Sequence, residues 1–174
     1  ASRVVDFMST DIPEAAPDKI AITGHSRNGK LSLFATAFDE RFSAVIVSSA
    51  GAGGVLPARL GTQHYFAETI GFLTQRFPDW FHPRLRFFVG REQKLPFDMH
   101  DLIALVAPRS CLLTCALNDS FDSVWASYQS YLAASKVFQF LDSDDQLNML
   151  WRHGNHETSA TDINLYLDWL DTRF

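Results

Sequence analysis

Apolar positions fall along the chain in two rhythms, one near the helical period and one in short unbroken runs, and their alternation decides the fold class. Val4, Val5 and Met8 form a short helical stripe, and residues 11–18, with two prolines, make a polar break. The rhythm then changes. Ile20-Ala21-Ile22-Thr23 predicts a short strand, residues 24–29 a turn, and Leu31, Leu33, Phe34 and Phe38 a helix reaching Asp39. Ala44-Val45-Ile46-Val47 is apolar at every position, as a parallel strand covered on both faces should be, and Gly51, Gly53 and Gly54 follow it.

Residues 55–95, rich in phenylalanine and proline and containing Trp80, predict an irregular insertion. Beyond it the pattern predicts a helix over 98–106, a strand over 111–116, a helix over 125–134, a strand over 137–141 and a closing helix over 162–170. No internal repeat or low-complexity segment interrupts this order. Strands alternating with helices define the α/β class, a mainly parallel sheet flanked by helices, in which ligands bind at the carboxyl ends of the strands.

Composition narrows the picture. The chain has 174 residues, 47% hydrophobic and 20% charged, which fits one globular domain over residues 1–174 with a sizeable core. Lys and Arg number 15 against 20 Asp and Glu, a net charge of -5 with no block of like charge, which disfavours nucleic acid or an anionic membrane as partner. Cys111 and Cys115 share one face of a strand roughly 13 Å apart, too far for a disulfide, and read as buried thiols. A metal or redox role would need more Cys or His nearby, so neither metal nor cofactor is expected. No run of 18 apolar residues occurs, and residues 1–10 lack a charged start followed by an apolar core, so neither a membrane span nor a signal peptide is visible in this chain.

The candidate chemistry starts at Ser26. It follows a strand directly, with Gly24 two residues before it and Gly29 three after, so small residues permit the sharp turn that lifts a serine oxygen above the sheet. A serine here also suits a helix N-cap, and later residues separate the two readings. A serine nucleophile needs a base, and the base needs an acid to fix its tautomer. In α/β-hydrolases these follow in the order Ser, Asp or Glu, His, each after a later strand. The chain obeys that order: Asp119 follows the 111–116 strand, Asp122 is a second candidate acid, and His153 and His156 stand just before the last helix. Gly154 and Asn155 favour a turn that presents His156. The amide of Arg27 is the expected oxyanion donor, its guanidinium a further one, and Lys30 one turn along faces an anionic substrate.

The string Gly24-His25-Ser26-Arg27-Asn28-Gly29-Lys30 resembles the Gly-x-Ser-Arg-x-Gly-Lys nucleophile motif of the glucuronoyl esterases, carbohydrate esterase family 15. The likeness continues through residues 39–42, 51–54, 66–69, 77–81, 95–100 and 104–109, and covers most of residues 19–174. The resemblance implies an α/β-hydrolase that cleaves the ester between a glucuronic acid side group of xylan and a lignin alcohol, with no cofactor. Ser26 would attack the uronate carbonyl, Arg27 would hold the oxyanion, Lys30 and Glu68 would contact sugar hydroxyls, and His156 would be the base. Many members carry the acid where this chain has Ser49, and others place it after the next strand, which matches Asp119. The family's sugar-stacking tryptophan appears here as Phe121, which keeps an apolar face without the indole donor.

The family's domain is longer and begins with strands ahead of the nucleophile, so the chain corresponds to its C-terminal half. A missing N-terminal segment or self-association would then cover the exposed sheet edge. The resemblance also implies a secreted or periplasmic setting. Two other functions compete: an acetyl xylan esterase or another carboxylesterase, and an inactive carbohydrate-binding or interaction module suggested by the aromatic stretch from Phe66 to Phe88.

Overall fold

A computed structural model describes residues 1–16, 18–61 and 67–174. Four strands, β1 (Ala21–His25), β2 (Ala44–Ser48), β3 (Ser110–Ala116) and β4 (Leu147–Arg152), form one parallel sheet in the order β1-β2-β3-β4. The described residues also form six helices: α1 (Ser2–Asp11), α2 (Arg27–Phe38), α3 (Ile70–Arg76), α4 (Met99–Ala104), α5 (Val124–Phe140) and α6 (Ala160–Asp171). The register pairs His25 with Ser48, Ser48 with Thr114 and Ala116 with Arg152, so all four carboxyl ends lie along one edge.

The unbroken apolar runs are explained by what covers them. Every residue of β2 and β3 is buried. One face packs Val45, Val47, Cys111, Leu113 and Leu147 against Leu33 of α2, Ile103 of α4 and Phe138 of α5. The other face packs Ile46 and Leu112 against Tyr166 of α6. A strand with no solvent side loses its alternation, because polar residues on either face would be buried without partners. Both cysteines are free and buried, and burial pushes the Cys111 thiol up to about 12, away from reactive thiolate chemistry.

The last strand is where the pattern misleads. The apolar pattern predicts a strand over 137–141, but α5 continues through Phe140, and the fourth strand lies at Leu147–Arg152. Val137-Phe138-Gln139-Phe140 favours extended backbone by composition, yet only Phe138 enters the core, while Phe140 is 84% exposed. No breaker follows Ala133-Ala134, so the helix runs on through Phe140 to its cap at Leu141, and Asp142, at φ 52°, turns the chain away beyond it. The true strand hides its pattern because Asn148 and Arg152, both polar, occupy inward positions, Asn148 accepting from Trp169 Nε1 and Arg152 donating to Ser49 Oγ.

The insertion is irregular but packed. It contains α3 and 3-10 turns at Ala58–Leu60, Pro83–Phe88 and Glu92–Lys94. Ala52, Leu56 and Leu73 bury themselves with Ala126 of α5, flanked by Phe77, Trp80 and Phe81. Asp98 ties the insertion to α4: it accepts from the amides of Ala58 (2.7 Å) and Arg59 (3.2 Å) and forms a capping box with Asp101. Phe66, at the start of the aromatic stretch, lies outside the described residues. No helix among the described residues is long and apolar enough to cross a membrane.

Candidate active site

The turn between β1 and α2 consists of Ser26 alone. Its backbone is at φ 57°, ψ -124°, a region that a residue with a Cβ enters only under strain. Gly24 allows helix and strand to close on each other: a Cβ there would lie 2.1 Å from the Asn28 carbonyl oxygen and 2.6 Å from Ser32 Oγ. The Ser26 amide donates to the Ser48 carbonyl (2.8 Å), fixing the turn against β2. Ser26 does occupy the N-cap position of α2, but its hydroxyl makes no capping bond. The oxygen instead lies 2.9 Å from His156 Nε2.

His156 Nδ1 lies 2.9 Å from Asp119 Oδ2 and 3.1 Å from Oδ1. A carboxylate only accepts, so it holds the imidazole proton on Nδ1 and leaves Nε2 free to take the Ser26 proton. The Asp119 side chain has no exposed surface, and Oδ1 also accepts from the Phe121 amide (2.9 Å). Asp122, the alternative acid, has other partners. Its Oδ1 accepts from Ser127 Oγ (2.6 Å), and its Oδ2 takes the Gly51 amide (3.3 Å) and Cys115 Sγ (3.4 Å). Full burial raises its pKa, and its contacts make it an anchor between the glycine turn and α5. His153 is exposed on the same loop as His156, and Gly154, at φ 107°, makes the turn that separates them.

Bonds from the Leu117 amide to the Arg152 carbonyl (3.0 Å) and from the Asn118 amide to the Gly154 carbonyl (3.1 Å) stitch the Asp119 loop to the His156 loop. The His156 ring stands between two others, His25 with centroids 4.7 Å apart and Phe121 edge-on at 4.9 Å. His25 is a site residue that the sequence did not single out, since the middle position of Gly-x-Ser carries no pattern. Its Nδ1 meets Thr158 Oγ1 (2.9 Å) and Ser48 Oγ (3.1 Å), and Ser48 Oγ continues to the Tyr166 hydroxyl (3.0 Å). Burial, with His156 and Arg152 as neighbours, lowers the His25 pKa and so favours its neutral ring.

Arg27 heads α2, where a backbone N–H has no acceptor within the helix and is placed to donate outward. Its guanidinium lies over the Trp80 ring at 6.0 Å, and Trp80 in turn stacks on Phe77 at 4.0 Å. Lys30 and Glu68 form a buried ion pair at 3.0 Å, with side chains 7% and 9% exposed. Burial raises the Glu68 pKa, and Lys30 partly offsets the rise. The Glu68 amide donates to the Phe121 carbonyl (3.2 Å), joining this pair to the rim beside His156. A cavity of about 490 Å³ opens over the face of α2 that carries Arg27, Lys30 and Leu31, with Trp80 and Phe81 opposite.

Comparison with known proteins identifies the family and the fold. Residues 1–142 match the family model for fungal glucuronyl esterase. The carbohydrate esterase MZ0003, from an unknown prokaryotic organism, is 32% identical over 98% of this chain and 42% of its own length. The 4-O-methyl-glucuronoyl methylesterase of Hypocrea jecorina is 33% identical over 84% of this chain and 32% of its own. Among solved structures, a family 15 glucuronoyl esterase from Caldicellulosiruptor kristjansonii superposes with a TM-score of 0.91 at 35% identity, covering 99% of this chain and 48% of that one. The chain thus spans less than half the length of the relatives it matches, and over that span it belongs to the glucuronoyl esterase family with an α/β-hydrolase fold.

Proposed function

We propose that this chain carries the reaction centre of a serine esterase that hydrolyses esters of glucuronic acid or its 4-O-methyl ether. The observation that supports it most is the hydrogen-bonded line from Ser26 Oγ through His156 to Asp119, both links 2.9 Å, on a strained strand-to-helix turn. Ser26 Oγ attacks the uronate carbonyl carbon while His156 Nε2 takes the hydroxyl proton. The charge that forms on the carbonyl oxygen meets the Arg27 amide and guanidinium. The bond to the alcohol then breaks, His156 returns the proton to the leaving oxygen, and a uronoyl ester of Ser26 remains. Water repeats the sequence and releases the free acid.

The matched fungal relatives are named 4-O-methyl-glucuronoyl methylesterases, which supports a 4-O-methyl-glucuronoyl acyl group. In this chain the paired Lys30 and Glu68 are suited to the hydroxyls of such a sugar, and Phe121 to one of its faces. The polymer that carries the sugar is glucuronoxylan and the alcohol comes from lignin, which places the reaction outside the cytoplasm. Among the described residues β1 pairs only with β2, and further strands or a second copy cover its other edge in the working enzyme.

The test is a paired assay of benzyl glucuronate and an aryl acetate, with Ser26→Ala alongside. Faster hydrolysis of the glucuronate that vanishes in Ser26→Ala is the expected result. Preference for the acetate would make the protein a different carboxylesterase. Binding of uronic xylan fragments with no Ser26-dependent turnover of either ester would leave a carbohydrate-binding module.

A further inference from the structure

Arg152 is the last residue of β4 and is 3% exposed. Its guanidinium reaches past the ends of the strands. Nη2 donates to Ser49 Oγ (2.7 Å) and to the His156 carbonyl (3.0 Å), and Nη1 donates to the Glu157 carbonyl. The only carboxylate paired with it among the described residues, that of Asp162 at the start of α6, is 3.7 Å away, and its Nε has no acceptor among those residues. A buried cation with a distant counter-ion and one unmet donor is a poor stabiliser, since the desolvation it suffers is not fully offset. What it does instead is grip two consecutive carbonyls of the loop that carries the base.

We propose that Arg152 is a positioning residue for His156, holding the imidazole at the height where it meets both Ser26 and Asp119, and that Ser49 is the small residue that leaves room for the guanidinium. The loop needs such a hold, for Gly154 sits at φ 107° and a Cβ on it would meet nothing within 4 Å. Ser49 is itself specialised, with φ 42° and its amide bonded to the Thr114 carbonyl (2.8 Å), so its hydroxyl is presented at a set point beyond β2. Arg152 thereby links the end of β2, the base-bearing loop and the first turn of α6. It touches neither the Ser26 oxygen nor Asp119 in any hydrogen bond, so it acts on the reaction through His156.

The test reads the nucleophile without any sugar, so it stands or falls apart from the choice of ester. The rate at which a simple alkyl fluorophosphonate labels Ser26 is measured for the parent protein, Arg152→Met, Arg152→Lys and Ser49→Ala, with circular dichroism to establish folding. Proton NMR follows the low-field signal of the His156 Nδ1–H shared with Asp119. Folded Arg152→Met is expected to label at least about tenfold more slowly and to lose that signal, because a misplacement near 1 Å is enough to cost about a hundredfold. Arg152→Lys should fall between, keeping the charge without the fork. Ser49→Ala, which removes one hydrogen bond and no bulk, should slow labelling about threefold.

Parental labelling and an intact signal in folded Arg152→Met would overturn the proposal. Should that variant fail to fold, unchanged labelling in Ser49→Ala together with unchanged labelling in Arg152→Lys overturns it equally.

Discussion

Asp119 and Asp122 lie three residues apart on the connection between β3 and α5, both buried, and they serve opposite ends. Asp119 turns its carboxylate outward to an imidazole and takes only one backbone amide for support. Asp122 turns inward, where Ser127, Gly51 and Cys115 consume it. Counting backbone and side chain together, depth is nearly the same, 8% against 4% exposed, so burial does not distinguish them. Partners do. A carboxylate facing a histidine has an acceptor role that changes during a proton transfer, while one facing amides and hydroxyls at a helix start is a fixed joint. The contrast shows why a cleft lined with acids cannot be read by counting them.

The largest expected effect breaks the pair apart. Asp119→Asn should slow fluorophosphonate labelling of Ser26 by about 10⁴-fold, the loss that follows when the base is left in the wrong tautomer. Asp122→Asn should stay within about tenfold of the parent in the same assay. Comparable losses in both would mean that the second carboxylate also governs His156.

Next in size is the buried pair beneath the rim. Lys30→Met should destabilise the fold by about 3–5 kcal/mol in urea titration, because Glu68 is left buried without its counter-ion. Lys30→Met with Glu68→Gln should recover much of that loss, and a double variant no better than the single would show that Glu68 was not the strained partner.

A smaller effect sharpens the role of Asp122 as a joint. Asp122→Ala leaves the Gly51 amide and the Ser127 hydroxyl without an acceptor, worth about 1–3 kcal/mol in stability. Its raised pKa sets the pH course. The native state holds the proton more tightly than the unfolded chain, so this contribution is fully present below 3.8 and is lost as pH rises through the raised value. Unfolding midpoints across that window should fall less in Asp122→Asn than in the parent.

The smallest expected effect concerns His25. Its pKa is lowered, so the unfolded chain takes up the proton first, and stability should decline as pH falls from 6.5 toward the depressed value. His25→Asn should flatten that decline when melting temperature is followed against pH. A parental slope in the variant would assign the acid sensitivity to another group.

The nucleophile turn was legible in the sequence because its requirements are local: a strand, a glycine that tolerates no Cβ, and a serine before a helix. The chain order Ser26, Asp119, His156 of the hydrogen-bonded line was legible too, since it follows from strand order. The choice between Asp119 and Asp122 was not, because it depends on which way a connection turns after β3, and that is set by amides of Phe121 and Gly51 far apart in sequence. His25 and Arg152 left no trace for a related reason. Their roles come from neighbours at Thr158 and Ser49, across the carboxyl edge of the sheet. The fourth strand was misplaced because an exposed Phe140 imitates a core residue and a buried Arg152 imitates a surface one.

The most direct measurement is peptide mapping after fluorophosphonate treatment, with His156→Ala as the partner sample. The expected result is a single adduct on Ser26 that disappears when His156 is removed. An adduct on another serine, or labelling of Ser26 that survives without His156, would contradict the assignment of Ser26 as a nucleophile activated by that histidine.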